Sequence, residues 1–276
     1  MYEIELVASD LDGTLLNMDK TVSADDFSTL NSLGDKNIYR VIATGRTLFS
    51  LKEVITKDFP IDYIIFSSGA GIINWKTKEL IYSKTLKKKH VLSVCDVFFE
   101  NNVDFTIHKK IPKNHRFVFN KTGKRNNDFD NYCNFYKEFS EPLNKRRLNF
   151  GQSTQLLAIF PNNIDIFNKV KEQLSDVKVI RATSPVDEDS IWMEIFPENV
   201  SKGNALLWLC KKLGVDIEKT IGIGNDYNDE DFLNLTKYSF AVENAPEEIK
   251  QKFSLTDSNQ NSGFTKAIER ILNSSL

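Results

Sequence analysis

Short apolar runs alternate with amphipathic stretches along the first third of the chain. Ile4, Leu6, Val7 and Ala8 form one run, Ile38–Ala43 a second and Tyr63–Phe66 a third. Apolar runs bounded by turn residues read as buried strands. Between the first two, Ser23–Leu33 reads as a helix, with Ser23 at the N-cap, Asp25 and Asp26 in the first turn and Gly34 at its end. A second helix is predicted over Leu48–Ile55, after Thr44-Gly45-Arg46. Strand, helix, strand, helix is the order that builds a parallel sheet. A short strand pair follows at Ile72–Trp75 and Glu79–Tyr82.

From about Lys84 the pattern changes. The basic stretch Lys84–His90 opens a helix running to Phe99. Phe105–His108 and Arg116–Phe119 alternate like strands with one exposed face, and the polar stretch Lys121–Asp130 reads as a loop. Gln155–Phe160 and Val177–Ala182 are further strands around a helix at Ile164–Leu174. This is α+β patterning with much antiparallel strand. Ile191–Ile195 returns to the pattern of the first third. It leads to a helix at Ala205–Leu213 closed by Gly214, a strand at Thr220–Gly224, a strand at Phe240–Val242, a helix opened by Pro246 and a last helix after Gly263. The pattern predicts one α/β domain with a Rossmann-like parallel sheet, residues 1–83 and 191–276, and an inserted α+β domain, residues 84–190.

Composition narrows the class. The 276 residues suffice for one large domain or two modest ones, and 41% hydrophobic with 27% charged residues is that of a soluble globular protein. A net charge of -2 offers no basic field, so no nucleic-acid partner is expected. No apolar run is long enough to span a bilayer and no signal peptide is visible, so a cytoplasmic chain without a membrane partner is expected. Cys95, Cys133 and Cys210 are far apart and form no C-x-x-C, which fits packing residues in a reducing compartment. The insert carries Lys109, Lys110, Lys113, Arg116, Lys121, Lys124, Arg125, Lys145, Arg146 and Arg147. They form either a platform for an anionic substrate or, for most of them, a solvated face. His90, His108 and His115 lack metal-ligand spacing, and Phe117, Phe119, Phe135 and Tyr136 read as core of the insert.

The candidate chemistry lies where the core strands stop. The first run ends at Asp10-Leu11-Asp12-Gly13-Thr14. Two carboxylates so close repel unless a cation lies between them or one is protonated, and oxygen-only ligands favour a hard cation such as Mg2+. Alone, Asp-x-Asp-Gly is equally an acidic turn. Three more polar loops follow core elements: Thr44-Gly45-Arg46, Ser201-Lys202-Gly203, and the cluster Asn225–Asp231. In a parallel sheet the first, second and fourth open on one edge, where α/β folds bind ligands. Together they supply the parts of phosphoryl transfer: a carboxylate nucleophile, a second carboxylate as acid and base, donors for the phosphoryl oxygens, and oxygens for a divalent cation.

In order and over the whole chain, Asp10-Leu11-Asp12-Gly13-Thr14-Leu15-Leu16, Ala43-Thr44-Gly45-Arg46, Ser201-Lys202-Gly203 and Gly224-Asn225-Asp226-Tyr227-Asn228-Asp229 resemble the four motifs of the haloacid dehalogenase (HAD) superfamily. More narrowly the chain is similar to its Cof-type, sugar-phosphatase-like branch, with an inserted α+β cap. The resemblance implies a Mg2+-dependent phosphatase acting on small phosphate monoesters such as sugar phosphates through an aspartyl-phosphate. Asp10 would be nucleophile and metal ligand. Asp12 would be the acid/base with its main-chain oxygen on the metal. Thr44, Lys202 and the Gly45 N–H would hold the phosphoryl group. Asn225, Asp226 and Asp229 would make up the metal site, and Asn228 would support Lys202 or the phosphate. Arg46 would either bind substrate or pair with a carboxylate. The cap would close over the leaving group. Two departures stand out: Asn225 where the family usually has Asp, and Ser68 where it usually has Asn before Gly-Ala. A phosphomutase or a non-catalytic sugar-phosphate sensor are the alternatives.

Overall fold

A computed structural model describes residues 4–144, 150–184 and 190–273 of the chain. It divides into two compact units, residues 1–83 with 201–276, and residues 84–200.

The first unit is built on an eight-stranded sheet. Its strands are β1 (Leu6–Ser9), β2 (Tyr39–Ala43), β3 (Tyr63–Phe66), β4 (Gly71–Asn74), β5 (Leu80–Ser83), β12 (Thr220–Gly224), β13 (Tyr238–Val242) and β14 (Ser254–Thr256). The order is β14-β13-β12-β1-β2-β3-β4-β5. All neighbours are parallel from β14 to β3, and β4 and β5 append an antiparallel edge. The apolar runs form strands because the central ones are largely buried, with β1 and β12 wholly so. On one face Leu6, Ala8, Val41, Ala43 and Ile65 pack against Ala205, Leu206 and Leu209 of α6 (Lys202–Leu213) and Phe232 and Leu233 of α7 (Glu230–Leu233). Pro246 leads into the short α8 (Glu247–Lys250), as the sequence predicts. Helices α1 (Ala24–Asp35) and α9 (Gly263–Asn273) are tied to each other where buried Asp26 accepts from Thr265 N and Oγ1 at 2.9 and 2.8 Å. Ser23 caps α1 as expected, accepting from Asp26 N, whereas Gly34 lies inside the helix and Lys36 ends it. Helix α2 (Leu48–Leu51) is capped by Thr47 and loosens into i,i+3 turns before Ile55, so it is shorter than the sequence pattern suggests.

The second unit carries a six-stranded sheet in the order β10-β11-β9-β6-β7-β8. These are β6 (Phe105–His108), β7 (Phe117–Asn120), β8 (Ser140–Pro142), β9 (Leu156–Phe160), β10 (Val177–Thr183) and β11 (Ile191–Pro197). The last assignment corrects the expected boundary. Ile191–Pro197 pairs antiparallel with all of β10 and with β9, and buries Met193 and Ile195 in this unit's core, so the insert ends at residue 200 rather than 190. Its apolar run looks like a core strand because the inserted sheet buries it as thoroughly as the parallel sheet would.

Helices α3 (Lys88–Glu100) and α5 (Ile164–Glu172) cover one sheet face, burying Val91, Val94, Cys95, Phe98, Phe167 and Val170 against it. The other face bears α4 (Asn127–Phe135), which begins inside the stretch expected to be loop. Asn126 caps it, accepting from Phe129 N at 3.2 Å, and Tyr132 stacks on Phe117 at 5.3 Å. This second cover is why β6 has no exposed face: Phe105, Thr106, Ile107 and His108 are all buried. His108 bonds Thr106 Oγ1 at 2.9 Å and the Asn114 carbonyl at 2.7 Å, and burial pushes its imidazole down to about 4. It is a neutral packing residue. Phe117 and Tyr136 are core as expected, Phe119 is half-buried, and Phe135 is 58% exposed, contrary to the core expectation. Lys145, Arg146 and Arg147 lie outside the described residues.

The three cysteines are free and buried. Among the described residues no helix is long and apolar enough to cross a membrane.

Candidate active site

The site is set by sheet order. Strand β1 lies between β12 and β2, with Ser9 opposite Ile223 on one side and Ile42 on the other. The residues that follow these strands therefore emerge side by side at the carboxyl edge: Asp10, Thr44 and Asn225. Asp10 N donates to the Ile223 carbonyl at 2.8 Å and Thr44 N to the Ile65 carbonyl at 2.9 Å, fixing both loops to the sheet. The chain leaves β1 toward β2 and returns on its other side as β12, a switch in strand order of the kind that opens a ligand crevice.

Lys202 reaches this edge from the first turn of α6. Ser201 caps the helix, accepting from Asn204 N at 3.1 Å. The loop after β3 braces the same turn: a Cβ on Gly69 would sit 2.1 Å from the Ser201 carbonyl, and Gly69 has φ +99°, so no other residue fits there. The Lys202 side chain is 1% exposed, and its ammonium donates to Asp10 Oδ1 at 2.7 Å, Asp229 Oδ1 at 2.5 Å and Asn228 Oδ1 at 3.1 Å. All three of its protons are thereby used. Burial pushes the ammonium toward neutrality, and Asp10 and Asp229 outweigh it, so the group is held charged. Asp10 is itself pushed up to about 8, first by burial, then by Asp229, against the pull of Lys202. One cation serves two buried carboxylates, and Asp10 relieves the excess negative charge by holding its proton more tightly.

Both Asp229 oxygens are engaged. Its Oδ2 accepts from Asn225 N at 2.9 Å and Asp226 N at 3.0 Å, while Oδ1 serves Lys202. The Asp226 carboxylate caps the turn Tyr227–Asp229 reciprocally. The structure thus brings Asp226 and Asp229 to roles in holding the loop and, for Asp229, the lysine.

Asp12 faces Arg46. The guanidinium grips it with two bonds of 2.7 Å, from Nε to Oδ2 and from Nη2 to Oδ1, and also donates to the Ser50 carbonyl. Of the two roles open to Arg46, pairing with a carboxylate is the one present in the fold. Thr44 is 1% exposed; its hydroxyl oxygen accepts from Arg46 N at 3.1 Å, which leaves the hydroxyl proton for an incoming anion. A Cβ on Gly45 would lie 3.5 Å from Ser68 Oγ, so the Ser68 hydroxyl borders the Gly45 Cα. Ser67 and Ser68 are both left-handed, with φ of 49° and 52°, and their N–H groups donate to the Arg46 and Thr44 carbonyls. Nothing in the sequence signals this strained turn beyond the departure at Ser68.

Asp10, the Asp12 carbonyl, Thr14 and Asn225 converge. Thr14 Oγ1 lies 3.0 Å from the Asn225 carboxamide. Gly13, at φ +77°, lets the carboxamide pass: a Cβ there would be 2.7 Å from it. Thr14 sits in the first motif, but its link to a loop more than 200 residues away is visible only in the fold. The oxygens of Asp10, the Asp12 main chain and the Asn225 side chain are the hard donors that fit Mg2+. Among the described residues no three Asp, Glu, His or Cys side chains are grouped to hold a metal.

Comparison with known proteins gives a consistent picture. The family model of the haloacid dehalogenase-like hydrolases matches residues 7–268. The chain is 25% identical over 287 residues to the 5-amino-6-(5-phospho-D-ribitylamino)uracil phosphatase YwtE of Bacillus subtilis, covering 98% of each chain. It is 26% identical over 269 residues to the YcsE phosphatase of the same organism, named for the same substrate, covering 96% of this chain and 95% of the relative. Among solved structures, the HAD superfamily phosphatase BT1666 of Bacteroides thetaiotaomicron superposes with a TM-score of 0.81 at 21% identity, over 98% of this chain and 95% of that one.

Proposed function

The chain belongs to the haloacid dehalogenase-like hydrolases, and from that premise we propose that it is a Mg2+-dependent phosphatase of small phosphate monoesters, sugar phosphates among them. The observation that carries this is the buried Lys202 ammonium held between Asp10 and Asp229 at the sheet edge, next to the Thr44 hydroxyl. The two Bacillus subtilis relatives make a phosphorylated sugar-alcohol amine a first substrate to test.

An Asp10 oxygen attacks phosphorus in line as the ester P–O bond breaks, giving an aspartyl-phosphate. Asp12 gives its proton to the departing alkoxide. It then takes one from water, whose oxygen attacks phosphorus and breaks the Asp10 O–P bond, releasing inorganic phosphate. Thr44, the Gly45 amide and Lys202 hold the phosphoryl oxygens, and Asn228 orients Lys202. Asp12 works only once its grip by Arg46 opens, and a substrate phosphate offers Arg46 the competing anion. Asp10, the Asp12 main-chain oxygen and Asn225 would hold Mg2+, with Asp226 and Asp229 fixing their loop. When bound, the ion supplies charge screening between two anions, nucleophile and phosphate. The three free buried cysteines support a reducing, cytoplasmic setting.

The test is phosphate release from a panel of phosphate monoesters with Mg2+ and with EDTA, for the natural chain and Asp10→Asn. Metal-dependent release that is lost in Asp10→Asn is the expected result. Binding of sugar phosphates without release would replace this reading with a sensor, and phosphate transfer to another sugar hydroxyl with a mutase.

A further inference from the structure

Gly45 stands apart from the chain's other glycines. The sequence has twelve. In the other eleven the fold itself demands the missing side chain: a Cβ would meet another atom at 2.9 Å or less, or the backbone is left-handed. Gly45 has neither constraint. Its φ lies outside the left-handed region. Among the described residues, and besides its chain neighbours, only Ser68 Oγ and Asn228 Nδ2 come within 4 Å of its Cβ position, at 3.5 and 3.9 Å. Both are ordinary van der Waals separations, so the fold accepts an alanine here. The two bordering atoms are polar. Lys202 orients the Asn228 carboxamide: an ammonium only donates, so the amide turns its oxygen to Nζ, at 3.1 Å, and its nitrogen to the Gly45 side. Ser68 N donates to the Thr44 carbonyl at 3.1 Å, which ties Ser68 to the loop that carries Gly45. Ser68 is buried, whereas Gly45 and Asn228 are partly exposed, so the place is open on their side.

We infer that Gly45 lacks a side chain for the sake of the ligand. A phosphoryl oxygen lies against its Cα, where a Cβ would stand, and accepts from Asn228 Nδ2, with Ser68 as the wall behind it. This rests on the phosphatase reading for the identity of the ligand. The groups around that position are donors: the Asn228 nitrogen, the Gly45 amide and the Thr44 hydroxyl, with the Lys202 ammonium on the far side of the Asn228 carboxamide. Such a set suits an anionic oxygen. A methyl group and that oxygen cannot share the position. Asn228 then works at both ends, its oxygen on Lys202 and its nitrogen on the phosphoryl group, and Gly45 is a position where size alone decides how closely the phosphoryl group seats.

The experiment is calorimetric titration of inorganic phosphate, in saturating Mg2+, into the full chain, Gly45→Ala, Asn228→Ala and the double variant, with the melting temperature of each without phosphate. Gly45→Ala is expected to melt at or above the natural chain, since alanine restricts the unfolded state and meets no clash. It is expected to bind phosphate about tenfold more weakly or worse. Asn228→Ala weakens binding in the natural background and is expected to cost less in the Gly45→Ala background, because the methyl group already displaces the oxygen that Asn228 serves. A lower melting temperature for Gly45→Ala overturns the inference, for the glycine would then serve the fold. So does unchanged phosphate affinity in Gly45→Ala, additive losses in the double variant, or no phosphate binding by any form. Because the readout is binding and melting, it is separate from ester hydrolysis. The pattern holding in a chain that hydrolyses no ester would sink the phosphatase reading alone. Metal-dependent release from esters, with phosphate affinity unchanged in Gly45→Ala, would sink this inference alone.

Discussion

At the scale of single residues, Lys202 decides the site. It is buried with three acceptors, and two of them are carboxylates. Removing it leaves Asp10 and Asp229 without their shared cation. Lys202→Met is therefore expected to lose about 3–5 kcal/mol of stability, read as a lowered denaturant midpoint of the first unit, besides losing turnover. An unchanged midpoint would show that the buried cluster is neutralised some other way. His108 gives a test in the second unit. Its folded imidazole is pushed down to about 4 from 6.5, so the unfolded chain binds the proton first. Stability is full above pH 6.5 and falls as pH drops toward 4, by roughly 3 kcal/mol if nothing else titrates. His108→Gln should flatten that fall, measured as the difference between the two urea midpoints from pH 7 to pH 4.5; parallel profiles would refute it. The residues of the first loop were legible because Asp10, Asp12, Gly13 and Thr14 are so close in sequence. The pairing of Arg46 with Asp12 and of Asp229 with Lys202 was not, since it joins loops distant in sequence and depends on which oxygen faces which donor.

At the scale of elements, apolar runs found the buried strands because these are hydrophobic on both faces, whereas α4 was hidden. Its sequence, Asn127–Phe135, is mostly polar and follows a run of Lys, Gly and Asn, and only Phe129 and Cys133 mark its buried side. The signal was the cap. Asn126 accepts from Phe129 N and donates to Asp104 Oδ2 at 3.0 Å and to the Ile159 carbonyl at 2.9 Å. Asn126→Ala loses a cap worth about 1 kcal/mol and leaves two buried acceptors short of a donor, so a total near 2–3 kcal/mol is expected. A loss below about 0.5 kcal/mol in chemical denaturation would mean α4 does not depend on this residue. Gly69→Ala is expected to lower phosphate release more than its stability cost explains, because the clash with the Ser201 carbonyl displaces the turn that carries Lys202. Unchanged release at full folding would contradict that bracing role.

At the scale of the molecule, two units share one chain, and the chain passes between them after Ser83 and before Ser201. The insertion was legible in the sequence, but its second boundary fell ten residues early, because an apolar strand carries no label for its sheet. The pairings make that difference testable. Replacing residues 84–200 by a short linker leaves every strand of the eight-stranded sheet with its partners. Replacing only 84–190 strands the run Ile191–Pro197 without β9 and β10. The first variant is expected to express as a monodisperse α/β protein by circular dichroism and gel filtration, the second to aggregate. Equal behaviour of the two would argue against the boundary at residue 200.

All of the proposed chemistry depends on a covalent bond from Asp10 to phosphorus. The most direct measurement is acid quench during turnover of the best phosphate ester, borohydride reduction of the acyl phosphate, and mass spectrometry of the peptide that contains residue 10. Reduction of an aspartyl-phosphate leaves homoserine at that position, and the expected result is homoserine at residue 10 that vanishes without substrate. Steady phosphate release with Asp10 recovered unmodified, or homoserine at another aspartate, would contradict Asp10 as the nucleophile.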